Sequence, residues 1–512
     1  MPDNTSQPER PSGRTKHDST FGSKFDVPVD THARPGDLRI LATQWSTLQN
    51  HLLSDGDEHA ALLLCGQRQS ADRVTFLVRE VILLTDDDYL DRGALHLSIA
   101  PTTLARAAKR ARLLDASVIM VHSHPFPGRV RASTLDLRTE TDLCRRVLPA
   151  RTGRPCAALV IGPDGVDGRI WTSEGAGHFT TISIIGETIE KIATTSHGLP
   201  DHGPGSGKCT GAGAGADPNL VPSAGTDRVT ARQELLWGSH GQRRLAGSHV
   251  VVVGCGGTGS HVATQLAHLR VGSLTLIDDD VVETSNLSRI VGLGPLDVGR
   301  SKVEALAEQL RRIYPGCDVQ TVQESVLDVD PDLYTNADLI VCATDGHGSR
   351  SLLTEVAAQY YIPAIDLGVE VVPGEQFRAG GGVRVLRPGH GCLWCAQNLS
   401  PAKVREEYLS AEERAVEAER GYVRGHHEPA PSVIALNGVV ASLAVMEVCQ
   451  LLVGMLGSGR DRLLYRSEQR ALSTTGMRQQ PGCHVCGEAG VLGLGDAARV
   501  KTRTRKHPAR GA

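Results

Sequence analysis

The sequence predicts an α/β protein built from two folded units in tandem. Three observations carry that expectation. From Arg228 to about Gly490, apolar strand-like runs alternate with helical segments, the order that makes a parallel sheet with helices on its faces. One of those strands leads into a glycine-rich turn and a helix, HVVVVGCGGTGSHVATQLAHL. Upstream, Asp37 to Thr195 holds short apolar runs and a helical stretch of its own, set apart by a Gly-, Pro- and Ser-rich segment at 196–227.

Composition bounds the rest. At 512 residues the chain is long enough for several sizeable cores. Hydrophobic residues make up 40% and charged residues 22%, a globular balance. Lys and Arg total 54 against 58 Asp and Glu, which excludes a wholly basic, nucleic-acid-coating surface and predicts no specific nucleic-acid partner. Twelve cysteines are too few for a disulfide scaffold, and the close CxxC pairs among them read as metal binding in a reducing compartment. The polar N-terminal stretch lacks a secretory pattern. The most apolar run, Val439 to Leu456, contains Ser442, Glu447 and Gln450, and reads as a buried core helix. A soluble, cytoplasmic chain with no membrane partner is expected.

Taken in order, residues 1–36 have no apolar period and are expected to form a disordered tail. The first unit, 37–195, should hold strands at Ala60–Cys65, Val74–Leu84, Ser117–Val121 and Ala157–Ile161, and a helix near Leu104–Leu114. A flexible linker at 196–227 follows. The second unit, 228–490, should place strands at Val250–Val253, Leu274–Ile277, Leu339–Cys342 and Ala364–Leu367. Residues 491–512, with Arg499, Lys501, Arg503, Arg505, Lys506 and Arg510, read as a solvated basic tail.

VIMVHSHPFPGRVRASTLD carries the first chemical signal. His122 and His124, two apart at a strand end, point to the same side of an extended backbone. Asp136 follows after enough chain to turn back. Two imidazoles and a carboxylate leave one zinc position for water, the catalytic arrangement. Ser133 is placed to start the helix carrying Asp136 and to offer a hydroxyl to an oxyanion. These residues resemble the HxHP…SxxD signature of the JAMM/MPN metalloproteases. The resemblance implies a zinc hydrolase that cuts peptide or isopeptide bonds after the C-terminus of a ubiquitin-like protein, with an upstream glutamate as general base. Glu58 in EHAALLLCG is the favoured match and Glu80 the competitor.

The second signal is the strand–turn–helix at 249–269. Gly254, Gly256, Gly257 and Gly259 permit a tight turn and close approach of phosphates to the helix N-terminus. Asp278 ends the next strand, where a ribose-binding carboxylate is expected. On its own this would suit a dehydrogenase nearly as well. The continuation, DDDVVETSNLSRI, GRSKVEAL and VCATDGHGSR, resembles the ThiF-type, ubiquitin-activating adenylyltransferases. The resemblance implies a Rossmann-like domain that uses ATP and Mg²⁺ to adenylate the C-terminal carboxylate of a ubiquitin-like partner. It assigns Asp278 to the ribose with Asp280 nearby, Asn286, Arg289 and Lys302 to the triphosphate, and Asp345 to magnesium. Arg232 matches an arginine that reaches the phosphates across a homodimer interface. Such a basic set suits two anionic reactants and has no use in a nicotinamide enzyme.

Cys392 and Cys395, with Cys483 and Cys486, suit one tetrahedral structural zinc, and a redox CxxC is the runner-up. Residues 396–448 contain no cysteine, where thioester- or persulfide-forming relatives carry one. Together these features predict a bifunctional enzyme with one catalytic and one structural zinc. The first unit trims a β-grasp protein to its C-terminal Gly-Gly, the second adenylates it, and the linker keeps the product at high effective concentration. An ATP-dependent modifier of a peptide or small molecule, or a non-catalytic scaffold for a ubiquitin-like protein, are the alternatives.

Overall fold

Runs of Val, Ile and Leu bounded by Gly, Pro and Asp give the strands, and Ala- and Leu-rich stretches between them give the helices. The computed structural model describes residues 34–171, 176–195, 229–372, 378–419, 431–455, 457 and 460–503. Of the tail expected at 1–36, residues 1–33 lie outside the described residues, as do the linker at 196–227 and residues 504–512, while Gly36 already begins a strand.

The first lobe runs β1 (Gly36–Leu41), α1 (Ala42–Leu52), β2 (Ala60–Gln69), β3 (Val74–Leu83), β4 (Tyr89–Gly93), β5 (His96–Ile99), α2 (Pro101–Leu113), β6 (Ser117–Ser123), α3 (Thr134–Asp142), α4 (Leu148–Thr152), β7 (Cys156–Gly162), β8 (Gly165–Trp171), β9 (Ala176–Ile185) and β10 (Ile189–Ala193). Its main sheet is ordered β1-β3-β2-β6-β7-β8-β9-β10, and β1 also pairs with β9, so all strands but β10 close into a ring. Successive residues of β2 point to opposite faces. Leu63 and Cys65 pack with Trp45, Leu48 and Leu52 of α1, while Leu62 and Leu64 pack with Leu104 and Ala108 of α2. Burial on both faces is why β2 reads as a continuous apolar run.

The second lobe runs α5 (Ala231–Ala246), β11 (His249–Val253), α6 (Gly257–His268), β12 (Ser273–Ile277), α7 (Lys302–Ile313), β13 (Asp318–Val322), α8 (Asp332–Thr335), β14 (Leu339–Cys342), α9 (His347–Tyr360), β15 (Ala364–Val372), β16 (Arg378–Leu386), α10 (Pro401–Tyr408), α11 (Ala411–Glu419), α12 (Ile434–Val453), β17 (Arg462–Arg466) and β18 (Ala471–Thr475). Its sheet is ordered β13-β12-β11-β14-β15-β16-β17-β18. The first five strands are parallel and the last three add antiparallel pairings. Helix α12 is long and apolar enough to cross a membrane, yet most of it packs inside the lobe. Glu447 and Gln450 are buried with it.

The lobes dock against each other. Arg39 on β1 donates to the Tyr360 carbonyl at 2.8 Å and the Thr335 carbonyl at 2.9 Å, the C-terminal ends of α9 and α8. Arg68 on β2 meets Asp332 at 2.9 Å and the Thr335 hydroxyl at 3.1 Å. The Tyr361 hydroxyl donates to the Val78 carbonyl at 2.8 Å. Leu77, Ile185 and Ile189 of the first lobe join the second lobe's core.

The expected solvated tail does not hold for residues 491–503, which pack as a strap across both lobes. The Asp496 amide donates to the Gln67 carbonyl at 2.7 Å, and its carboxylate accepts from the Gln69 amide at 2.8 Å. Gln359 donates to the carbonyls of Gly495 and Ala498, and Arg503 pairs with Asp328 at 2.6 Å. Leu492 and Val500, sparse among polar residues, supply the apolar anchors. Docked lobes also differ from two units swinging on a tether.

Arg68→Ala removes a buried guanidinium that meets Asp332 and Asp496 at the rim of the contact and the Thr335 hydroxyl inside it. Global stability should fall by about 1–3 kcal/mol, and amide exchange across 494–498 should accelerate. Unchanged protection there would contradict a docked strap.

Candidate functional sites

The end of β6 builds the first site. His122 lies opposite Ala60 on β2, so Glu58 and His59, just ahead of β2, come alongside it. The His124 amide continues the ladder to the Ile161 carbonyl at 3.0 Å. The Glu58 amide is held by the Gly93 carbonyl of the β4–β5 hairpin at 3.0 Å. Ser133 caps α3: its hydroxyl accepts from the Asp136 amide at 3.1 Å, and the Asp136 carboxylate accepts from the Ser133 amide at 2.6 Å. The cap turns Asp136 toward the histidines.

Asp136 lies 3.5 Å from the Nε2 atoms of both His122 and His124. One ligand atom from each of the three lies within 4.8 Å of the others, close enough to share one ion. His122 Nε2 is buried with no hydrogen-bond partner, as an atom aimed at a metal would be. The donor set therefore fits a divalent ion. Glu58 Oε1 lies 3.8 Å from His124 Nε2. Burial raises the Glu58 carboxyl above the ordinary carboxylate range, with His122 and His124 opposing. For Asp136 burial acts upward, but the adjacent His122 and His124 imidazoles outweigh it and hold the group well below that range. His124 is raised, chiefly by its hydrogen bond to Asp136. Glu80 is elsewhere: Arg110 of α2 holds it at 3.1 Å through Nε.

At the second site, Gly254 follows β11 with φ +88°, and a Cβ there would meet the Ala343 carbonyl at 2.7 Å. A Cβ on Gly259 would lie 1.8 Å from the Gly254 carbonyl, so the turn and α6 can close only on glycine. Gly256 has open space beside it, and Gly257 is overhung by Asn437 of α12 and by Arg289. The Asp278 carboxylate accepts from the Cys255 amide at 2.6 Å and the Asp280 amide at 3.0 Å. Lys302 Nζ contacts Asp280 at 2.6 Å and Asp278 at 3.8 Å. Burial raises the Asp278 carboxyl, and Lys302 opposes it. Asn286 is buried and Arg289 donates to the Ser285 carbonyl at 2.9 Å. Asp345 is exposed on the loop after β14. Glycine turn, Asp278, Asp280, Lys302 and Asp345 thus share the C-terminal edge of the sheet, the usual ligand crevice of such folds.

Arg232 is not brought there. Its neighbour Gln233 donates to the His268 carbonyl at the far end of α6, a helix of 12 residues, or about 18 Å.

Sequence reasoning missed Glu407. Its carboxylate, on α10, accepts from the His347 amide at 2.7 Å and the Gly348 amide at 2.8 Å, capping α9 beside Asp345. A Cβ on Gly346 or Gly348 would crowd it at 2.6 or 2.9 Å, so the glycines around His347 were the available signal.

The four paired cysteines converge within 4.8 Å. Sγ separations are 3.8 Å for Cys392–Cys395, 3.5 Å for Cys392–Cys483 and 3.4 Å for Cys395–Cys486. A zinc–sulfur distance of about 2.3 Å implies tetrahedral edges near 3.8 Å, so the set fits one ion. The Cys392 thiol is pushed down to about 5, chiefly by the Cys486 thiol, which is raised in turn. All four together argue against a two-cysteine redox pair. Cys395→Ser should lower both bound zinc, by one ion per chain, and the thermal midpoint. Elemental analysis finding equal zinc would contradict a four-sulfur cage.

The ThiF family model matches residues 230–485, within the second lobe. The SAMP-activating enzyme E1 of Haloferax volcanii is 32% identical over 268 residues, covering 52% of this chain and 90% of that protein. The molybdopterin-synthase adenylyltransferase of Escherichia coli is 29% identical over 263 residues, covering 50% of this chain and 95% of that protein. A crystal structure of E. coli MccB with MccA-N7isoASN aligns at 25% identity and a TM-score of 0.41, covering 51% of this chain and 76% of that one. The chain belongs to the ThiF family, and residues 230–485 are its adenylyltransferase domain.

Proposed function

We propose that the second lobe adenylates the C-terminal glycine carboxylate of a small β-grasp carrier protein, after the first lobe has trimmed that carrier to Gly-Gly. The observation that carries the adenylation reading is the shared edge holding the glycine turn, Asp278, Lys302 and Asp345. The carrier carboxylate attacks the α-phosphorus of ATP, the bond to pyrophosphate breaks, and an acyl-adenylate forms. Both reactants are anionic. Lys302 and Arg289 neutralise charge as it moves to the leaving pyrophosphate, and Asn286 orients the phosphates. Asp278 holds the ribose, with Asp280 locking Lys302 in place. Asp345 would hold magnesium, which would supply further charge neutralisation.

Arg232 lies too far from its own glycine turn to serve it. That supports a homodimer in which it reaches the partner's phosphates. Residues 396–448 carry no cysteine, so the adenylate passes on without a covalent enzyme intermediate in that segment. The same absence favours one second reading, an ATP-dependent modifier of a peptide.

For the first lobe the reading is a JAMM/MPN-like hydrolase spanning 37–195. The 3.5 Å spacing of Asp136 from both imidazoles and the nearby Glu58 support it. His122, His124 and Asp136 would hold zinc, which would supply an acidified water and polarise the scissile carbonyl. Glu58, its carboxyl raised by burial, takes the water's proton and delivers it to the leaving amine. The Ser133 hydroxyl faces the developing oxyanion. The four cysteines would hold a second, structural zinc. A cytoplasmic setting suits free thiols.

Two measurements test these readings. ATP–pyrophosphate exchange should depend on a β-grasp protein ending in Gly-Gly, and Lys302→Ala should slow it by about 10²–10³-fold. Exchange supported by a short peptide but not by the carrier would replace the first reading with the second. Glu58→Gln should keep its zinc and slow trimming of a carrier with extra C-terminal residues by about 10²–10⁴-fold. Trimming at the parent rate would remove Glu58 from the chemistry.

A further inference from the structure

We propose that Arg169 is a positioning residue for the metal site of the first lobe, fixing the helix and loop that present Asp136. The inference rests on the reading of His122, His124 and Asp136 as metal ligands.

The part of α3 that carries Asp136 has little apolar surface to hold it. Its nine residues, TLDLRTETD, run on through the helical turn Leu143–Val147 into α4, and the apolar anchors of that continuous helix, Cys144 and Leu148, come only after them. The one buried residue among the nine is not apolar but Glu140, one turn beyond Asp136 and 3% exposed. Leu135 points to solvent at 61% exposure. The turns around Asp136 are thus held to the sheet by a charge, and the apolar seat lies further along the helix.

Arg169 on β8 receives that charge. Its Nε donates to Glu140 Oε2 and its Nη2 to Glu140 Oε1, both at 2.7 Å, a two-pronged contact. Its Nη1 donates to Asp167, two residues earlier on the same strand. Trp171 Nε1 adds a donor to Glu140 at 3.2 Å. Asp167 in turn accepts from the Ala132 amide at 2.9 Å, and Ala132 immediately precedes the Ser133 cap. One guanidinium therefore sets the helix from behind through Glu140 and the incoming loop through Asp167. Arg169 and Asp167 are each 5% exposed.

Buried ions of this kind are stable only as a complete set. With Arg169 removed, Glu140 and Asp167 repel each other in a low-dielectric pocket, and α3 must shift to bring Glu140 to water. Asp136 moves with it, away from the two histidines on β6. A purely stabilising network would lower the melting temperature without changing metal affinity in the folded protein.

The test uses the full chain with zinc kept in its four-cysteine cluster. Cobalt(II) is titrated into the histidine site and followed by visible absorption, with His122→Ala as the blank. Arg169→Met should weaken cobalt binding by about 10–100-fold, the usual cost of losing support behind a ligand. It should also move the absorption bands. Trp171→Phe keeps both charge pairs and should bind like the parent. Phe76→Leu, in the barrel core, should lower the melting temperature with cobalt affinity unchanged. Folded Arg169→Met with parental affinity would overturn the proposal. Should Arg169→Met not fold, Asp167→Asn decides: weakened cobalt binding supports the clamp, and parental binding overturns it. A parent protein indistinguishable from the His122→Ala blank would overturn the metal reading itself, and the clamp with it.

Discussion

Carbonyl groups at the C-terminal ends of helices have no partner within the helix, and burying them costs free energy unless a donor arrives. In this protein α8 and α9 end against another lobe, and Arg39 answers both ends from β1. Arg68 and the Tyr361 hydroxyl extend the same seam with further donors across it. The strap at 491–503 then lies over the seam and hydrogen-bonds to each side. The joint combines these directional donors with the apolar contacts of Leu77, Ile185 and Ile189, which is how two differently built sheets keep one relative orientation.

Both candidate sites use one structural device. A strand delivers side chains to its end, and a following turn brings a helix N-terminus back over them. In the first lobe β6 and the Ser133-capped α3 do this; in the second, β11 and α6. The difference lies in what supports the helix. Apolar residues of α6, such as Val262 and Leu266, seat it in the second core along its length, whereas the turns of α3 around Asp136 lean on Glu140.

Much of this was legible in the chain. The two-residue spacing of His122 and His124 reads directly as one face of a strand, and the alternation after Arg228 reads as a parallel sheet. Ser133 reads as a cap because Asp136 follows at the capping-box interval. What escaped was non-local. Pairing of β1 with β9 joins residues some 140 apart, and no local pattern announces it. The resemblance favours Glu58 over Glu80, but nothing local shows where Glu80 goes. The register shift in β2–β3 between Leu64 and Cys65, and the packing of α2, decide that Glu80 meets Arg110. The strap was misread as solvated because its few apolar residues are diluted by Arg, Gly and Asp.

The seam has a geometric consequence. Glu58 precedes β2, while Gln67 and Arg68 near its other end touch the second lobe, and a strand of 10 residues spans about 30 Å. In the second lobe the seam meets the edge where β14 and β15 begin, and the glycine turn lies at the edge where β11 ends. The two crevices thus open at opposite poles of one body, facing away from each other. On the proposed reading, a carrier trimmed at one pole would have to leave and dock afresh at the other. Joining the lobes in one polypeptide then guarantees equal numbers of both stations at every place the protein goes, rather than a corridor between them.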